Sequence, residues 1–88
     1  MVKLLQRKYD EPQIQLRVTV EHNGEEIECV IYRMWFYLNV LPKPMKREDY
    51  ESAFDRHREQ LLSEIEAAIA AGRHVGGSFN LDPRLRLR

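Results

Sequence analysis

The stretch Gln13-Ile14-Gln15-Leu16-Arg17-Val18-Thr19-Val20-Glu21-His22-Asn23-Gly24-Glu25-Glu26-Ile27-Glu28-Cys29-Val30-Ile31-Tyr32 reads as a β-hairpin. Ile14, Leu16, Val18 and Val20 alternate with Gln15, Arg17, Thr19 and Glu21, the period of two that sends successive side chains to opposite faces of a strand. Asn23-Gly24 supplies two residues that tolerate positive φ, as the tight type I′ turn between antiparallel strands requires. The returning strand, 26–32, places Ile27, Cys29 and Ile31 on one face. Pro12 stands just ahead, where a missing N–H does a strand least harm. One face of the hairpin is therefore aliphatic and needs a cover.

Residues 47–71 supply it. Tyr50, Phe54, His57, Leu61, Ile65 and Ala68 recur at intervals of three and four, with Ala53, Leu62 and Ile69 widening the stripe. Glu48, Asp49 and Glu51 sit at the start, where the helix dipole favours anions. Gly72 offers a left-handed stop, and Arg73 and His74 follow at the carbonyl end. A single helix of about 25 residues at ~1.5 Å each would run ~37 Å, longer than the hairpin beneath it.

Between hairpin and helix the pattern changes. Met34-Trp35-Phe36-Tyr37-Leu38 is apolar at every position, followed by Asn39-Val40-Leu41. As a strand it would need burial on both faces. As one or two helical turns it groups Met34, Leu38 and Leu41 on one side, and this short helix is the favoured reading. Arg33 breaks the inward parity of the preceding strand, which calls for a bend there. Pro42 and Pro44 then end regular structure. Past the long helix, Gly76-Gly77 reads as a turn, Ser78 to Leu81 as a short strand, and Arg84-Leu85-Arg86-Leu87-Arg88 as an amphipathic edge strand or a frayed end. Residues 2–5 either pair with that terminal strand or dangle, and residues 1–12 are expected to be poorly ordered.

The expected architecture is a single α+β domain over residues 1–88. An antiparallel sheet of three to four strands packs on one long helix. Composition bounds the function: 14 Lys plus Arg balance 14 Asp plus Glu in 88 residues, which argues against a general nucleic-acid binder. The balance is uneven along the chain, because 46–71 is acidic and 72–88 basic. One cysteine excludes an internal disulfide framework and fits a reducing compartment. The apolar run 34–38 is far short of a membrane span, and the first residues lack the apolar core of a signal peptide. A soluble cytoplasmic domain is the expectation.

The succession of a strand, Asn23-Gly24, then Glu26-Ile27-Glu28-Cys29-Val30-Ile31, and a helix carrying Ala53-Phe54, His57-Arg58 and Leu61 resembles one family over residues 14–72. This is the small bacterial domain-of-unknown-function family numbered fourteen eighty-eight. The resemblance implies an α+β domain with an antiparallel sheet against a helix, makes Cys29, Phe54, His57 and Arg58 family-like structural positions, and implies no activity.

Each candidate site has a plainer reading beside it. His57-Arg58 could titrate and grip an anion, but an imidazole at the margin of the apolar stripe, bonded to a strand carbonyl, with Arg58 on the solvated flank, is the simpler account. Cys29 alternates with Ile27 and Ile31 and so points inward, where a thiol behaves as a small hydrophobe. Cys29 with His57 is the one conceivable catalytic dyad, and nothing in the spacing demands it. His22, His57 and His74 match no metal motif, so neither metal nor cofactor is expected. Tyr32, Trp35, Phe36 and Tyr37 are half of the eight aromatics, crowded into six positions. That crowding suggests a protein contact surface, with Val30 at its margin, rather than core alone. The expected role is a non-catalytic protein-binding or accessory module that self-associates as a homodimer. The alternative is a nucleic-acid-binding regulator in which Arg84, Arg86 and Arg88 line one strand face beside Arg73.

Overall fold

The computed structural model describes residues 2–81. Three strands come first: β1 (Lys3–Asp10), β2 (Gln15–His22) and β3 (Glu25–Tyr32). Three helices follow, α1 (Arg33–Asn39), α2 (Arg47–Arg56) and α3 (Arg58–Ala70), and a two-residue strand, β4 (Phe79–Asn80), closes the order. The four strands form one sheet in the order β1-β2-β3-β4.

The β2–β3 hairpin forms where the alternation places it. Asn23 and Gly24 adopt φ of 54° and 83°, and His22 pairs with Glu25 across a two-residue turn. Leu16 lies opposite Ile31, Val18 opposite Cys29 and Val20 opposite Ile27, all six buried on one face. Burying each such side chain contributes about 1.5–3 kcal/mol. Ile14 departs from the expected strand. It sits at φ 52° in the turn that joins β1 to β2, its N–H donating to the Glu11 carbonyl at 3.2 Å.

Residues 3–10, expected to hold little order, are instead the antiparallel edge strand β1 on β2. Two features hide its alternation in the sequence. The register shifts between Leu4 and Gln6, and Arg7 occupies a core-facing position opposite Val18. Arg7 is tolerated there because its guanidinium leans over the Phe54 ring (5.2 Å to the centroid) and pairs with Asp55, tying β1 to α2.

The sheet is mixed rather than purely antiparallel. β4 runs parallel to β3, with Phe79 opposite Cys29 and Asn80 opposite Val30. The chain leaves β3, crosses one face of the sheet through the helices and returns in the same direction, the usual geometry of a parallel connection.

The helical cover is two helices, not one long one. His57 breaks the run at φ −110° and ψ 21°, closing α2 and opening α3. Neither Pro nor Gly marks the place. A straight 25-residue helix would overrun the hairpin, and the break lets both halves keep apolar faces on the sheet. The inward stripe is as its spacing suggests: Tyr50, Ala53, Phe54, Leu61, Ile65, Ala68 and Ile69 are buried. α3 stops at Gly72 (φ 80°) in a Schellman arrangement, with Gly72 N–H donating to the Ile69 carbonyl and Arg73 N–H to that of Ala68.

Candidate functional site

The apolar stretch after β3 forms the short helix α1, and its rotation decides which side chains are available. Three inward positions, Trp35, Phe36 and Val40, are each 1% exposed or less. Trp35 stands edge-on to Phe36 at 5.4 Å, and Phe36 edge-on to Tyr50 at 5.2 Å. The proposal that Trp35 and Phe36 line a contact surface is therefore corrected, and Val30 is buried as well. The crowding argument undercounted the core, which also holds Tyr50, Phe54 and Phe79. Tyr32 remains exposed and Tyr37 half-buried.

The opposite side of α1 is apolar and open. Met34 and Leu38 stand one turn apart, 48% and 41% exposed. The segment that follows carries Leu41 at 80% and Met45 at 88%. Lys43 caps this end, its Nζ donating to the Tyr37 carbonyl at 3.2 Å and lying 5.5 Å from the Tyr37 ring centroid.

A polar network fixes α1 to α3 from behind. The Trp35 indole N–H donates to Glu64 Oε1 at 2.9 Å, and Gln60 Nε2 donates to Glu64 Oε2 at 3.1 Å. Gln60 also reaches Asn39 Oδ1 at 3.4 Å, while Asn39 Nδ2 donates to the Trp35 carbonyl at 2.8 Å. His57 joins through Nδ1, 3.4 Å from Gln60 Oε1, with its ring edge-on to Trp35 at 6.3 Å. Its partners are thus a glutamine and an indole rather than the strand carbonyl expected. Arg58 is exposed, as anticipated. Asn39, Gln60 and Glu64 were not legible as site residues, because a lone polar residue on a helix flank looks the same whether solvated or bonded to an indole.

Cys29, on β3 between Val18 of β2 and Phe79 of β4, is buried in the core. Burial pushes its thiol up to about 12, against a smaller opposing pull from the Arg73 guanidinium. The structure does not gather Cys29 and His57 into a dyad, since the groups acting on the thiol are Arg73 and the Leu81 backbone. A thiol so protonated is a poor nucleophile. Tyr50 is likewise pushed up to about 12 by burial, aided by the neighbouring Tyr37 hydroxyl.

Among the described residues no group of three or more His, Cys, Asp and Glu side chains is placed to hold a metal ion, and no helix is long and apolar enough to cross a membrane. An open cleft of about 520 Å³ lies between the β2–β3 hairpin and the 74–78 loop, with Glu25, Glu26, Glu28 and His74 on its walls. Arg73 is engaged structurally, its Nη2 donating to the Asn80 carbonyl at 2.8 Å while the guanidinium stacks on Phe79. Arg84, Arg86 and Arg88 lie outside the described residues.

Comparison with known proteins bears on the fold and on the family. No curated protein matches the chain. Among solved structures it is similar to the crystal structure, at 1.60 Å resolution, of a protein of unknown function from the DUF1488 family of Shewanella loihica PV-4. The two are 18% identical, with a TM-score of 0.73 over 97% of this chain and 94% of that one, a likeness of fold. A family profile described as "Protein of unknown function (DUF1488)" matches residues 4–80. With that match spanning nearly the whole sequence, and the same α+β arrangement in a solved member, the chain belongs to the DUF1488 family.

Proposed function

We propose that this protein is a non-catalytic protein-binding module whose contact surface is the outer side of α1, with Met34 and Leu38, together with Leu41 and Met45 of the segment that follows it, and with Tyr37 at their margin. One observation carries the reading: of the seven large apolar side chains that remain exposed among the described residues, four fall between positions 34 and 45. Apolar residues scattered singly over a surface call for no explanation, whereas a cluster marks a site that another surface covers. Met and Leu on a rigid helix suit such a role, and the buried, protonated Cys29 thiol supports a binding rather than a catalytic assignment.

The occupant is a second copy or another protein. Sedimentation velocity over a hundredfold range of concentration, run on the wild type and on a Leu38→Ser, Leu41→Ser double variant, tests the first. Affinity capture from extract with both proteins as bait tests the second. The reading expects the double variant to lose either assembly or one or more captured proteins while keeping its circular dichroism. If assembly state and captured set are the same for both proteins, α1 is not a docking surface.

A further inference from the structure

We infer that the partner seated on α1 presents an acidic amphipathic helix, its apolar ridge on Met34, Leu38 and Leu41 and its carboxylates toward Arg33, Lys43 and Lys46. The inference rests on the docking reading above and names the chemistry of the occupant. Residues 33–47 contain four cations, Arg33, Lys43, Lys46 and Arg47, and no Asp or Glu, in a chain whose charges balance only when these four are counted. Arg47 is neutralised locally, its Nε donating to Glu51 Oε2 at 3.1 Å. Arg33, Lys43 and Lys46 are exposed, and none forms an ion pair with a described residue. The apolar side of α1 is thus flanked in sequence, at both ends, by exposed cations whose side chains pair with no carboxylate among the described residues, while Asp49 Oδ2 accepts from the Met45 and Lys46 backbone N–H groups at 3.1 and 3.3 Å.

That flank discriminates among occupants. A second copy packing α1 on α1 about a two-fold axis would make an isologous contact, bringing the same three cations of each copy into one interface. Like charges in a shared interface are costly, so self-docking through this face is disfavoured. An anionic lipid surface would satisfy the charge, but only Leu41 and Met45 project strongly. Met34 and Leu38 are about half covered by the domain, within reach of a helix laid along α1 and poorly placed to enter a bilayer. The spacing of Met34 and Leu38 is that of a helix ridge, which seats between the ridges of another helix. Acidic side chains beside that partner ridge complete the match, giving specificity and faster encounter as well as affinity.

The test is a titration of the ¹⁵N-labelled full chain with a synthetic helical peptide that carries leucines at i, i+3, i+4 and i+7 flanked by glutamates. The same peptide with lysines in place of glutamates, and phosphatidylglycerol vesicles, form the parallel arms. The glutamate peptide is expected to shift amide resonances within 33–46, and to bind more weakly as salt rises. A Lys43→Glu, Lys46→Glu variant should weaken it by about tenfold or more and should bind the lysine peptide instead. Equal binding of the two peptides to the wild type would overturn the acidic-partner inference while leaving α1 as the docking surface. No shifts at about 1 mM glutamate peptide, shifts that map away from α1, or binding to vesicles in preference to peptide would overturn it as well. The comparison of the Leu38→Ser, Leu41→Ser variant with the wild type then decides the docking reading on its own.

Discussion

Trp35→Ala separates the two sides of α1. The indole is 1% exposed, stands edge-on to Phe36 and His57, and donates to Glu64 at 2.9 Å. Removing it deletes a large buried ring and one hydrogen bond to Glu64, so the cost should fall in the range of about 3–5 kcal/mol seen for such truncations. An 88-residue domain at ~0.05–0.15 kcal/mol per residue has only about 4–13 kcal/mol in total. The variant should therefore be close to unfolding, with a melting temperature lower by about 12 °C or more. Trp35→Phe isolates the polar component. It keeps most of the ring but not the N–H, and Gln60 still serves the other oxygen of Glu64, so about 1–3 kcal/mol is expected. Leu41→Ser, six positions along and 80% exposed, should cost no more than about 0.5 kcal/mol. Urea unfolding followed by far-ultraviolet circular dichroism reads all three without depending on the single tryptophan. A cost below about 1 kcal/mol for Trp35→Ala, or equal costs for Trp35→Ala and Leu41→Ser, would refute the assignment of inner and outer faces.

Three further outcomes follow from the same structure. Cys29 should resist alkylation in the folded chain, and stability should fall as pH rises from about 9 towards about 12, because the unfolded thiol then loses its proton while the buried one keeps it. Cys29→Ala should lessen that alkaline slope in pH-dependent urea melts, chiefly at its lower end, leaving the loss that Tyr50, raised from 10 to about 12, contributes at higher pH. Gly24→Ala should destabilise by about 1–2 kcal/mol through φ of 83° alone, since an added Cβ meets nothing within 4 Å; a neutral result in thermal melts would show that the turn can change type. Glu26 lies directly opposite Glu21, so Glu26→Lys should stabilise by about 0.2–1 kcal/mol at low salt, and a gain that persists in high salt would point to another cause.

The parts of the fold that rest on local chemistry were legible in the residues. Asn23-Gly24 needs positive φ and has it, Gly72 ends α3, and the Tyr50-to-Ile69 stripe is the buried one. What escaped was set by tertiary context. β1 carries Arg7 on its core face and a bulge near Leu5, so its period of two is broken, and only the Phe54 ring and Asp55 waiting on α2 make that arginine sensible. The break at His57 leaves no mark in composition, because the same apolar spacing serves one straight helix or two. The parallel pairing of β4 depends on which edge of the sheet the returning chain meets, and a strand of two residues carries no directional pattern. In the 34–41 stretch the pairing of Met34 with Leu38 was readable from helical spacing, whereas Leu41, grouped with them by the same spacing, lies past the end of α1, where Val40 is already extended. Which side faced inward was not readable, since both sides are apolar.

That ambiguity also explains how α1 can be anchored and available at once. A seven-residue helix is too short to hold itself in water, so its conformation must come from what it packs against. Here the inner side supplies two buried rings and an indole bonded to Glu64, and Asn39 and Gln60 link the end of the helix to α3. The outer side, only about half covered by the domain, contributes less to that packing and is free to be apolar for another reason. A partner that docks on it meets a helix already formed and fixed, so little ordering of the backbone opposes association, and a small contact can suffice. On the proposed docking reading, the buried Trp35 and Phe36 are the mounting, and the less conspicuous Met34 and Leu38 are the surface they hold in place.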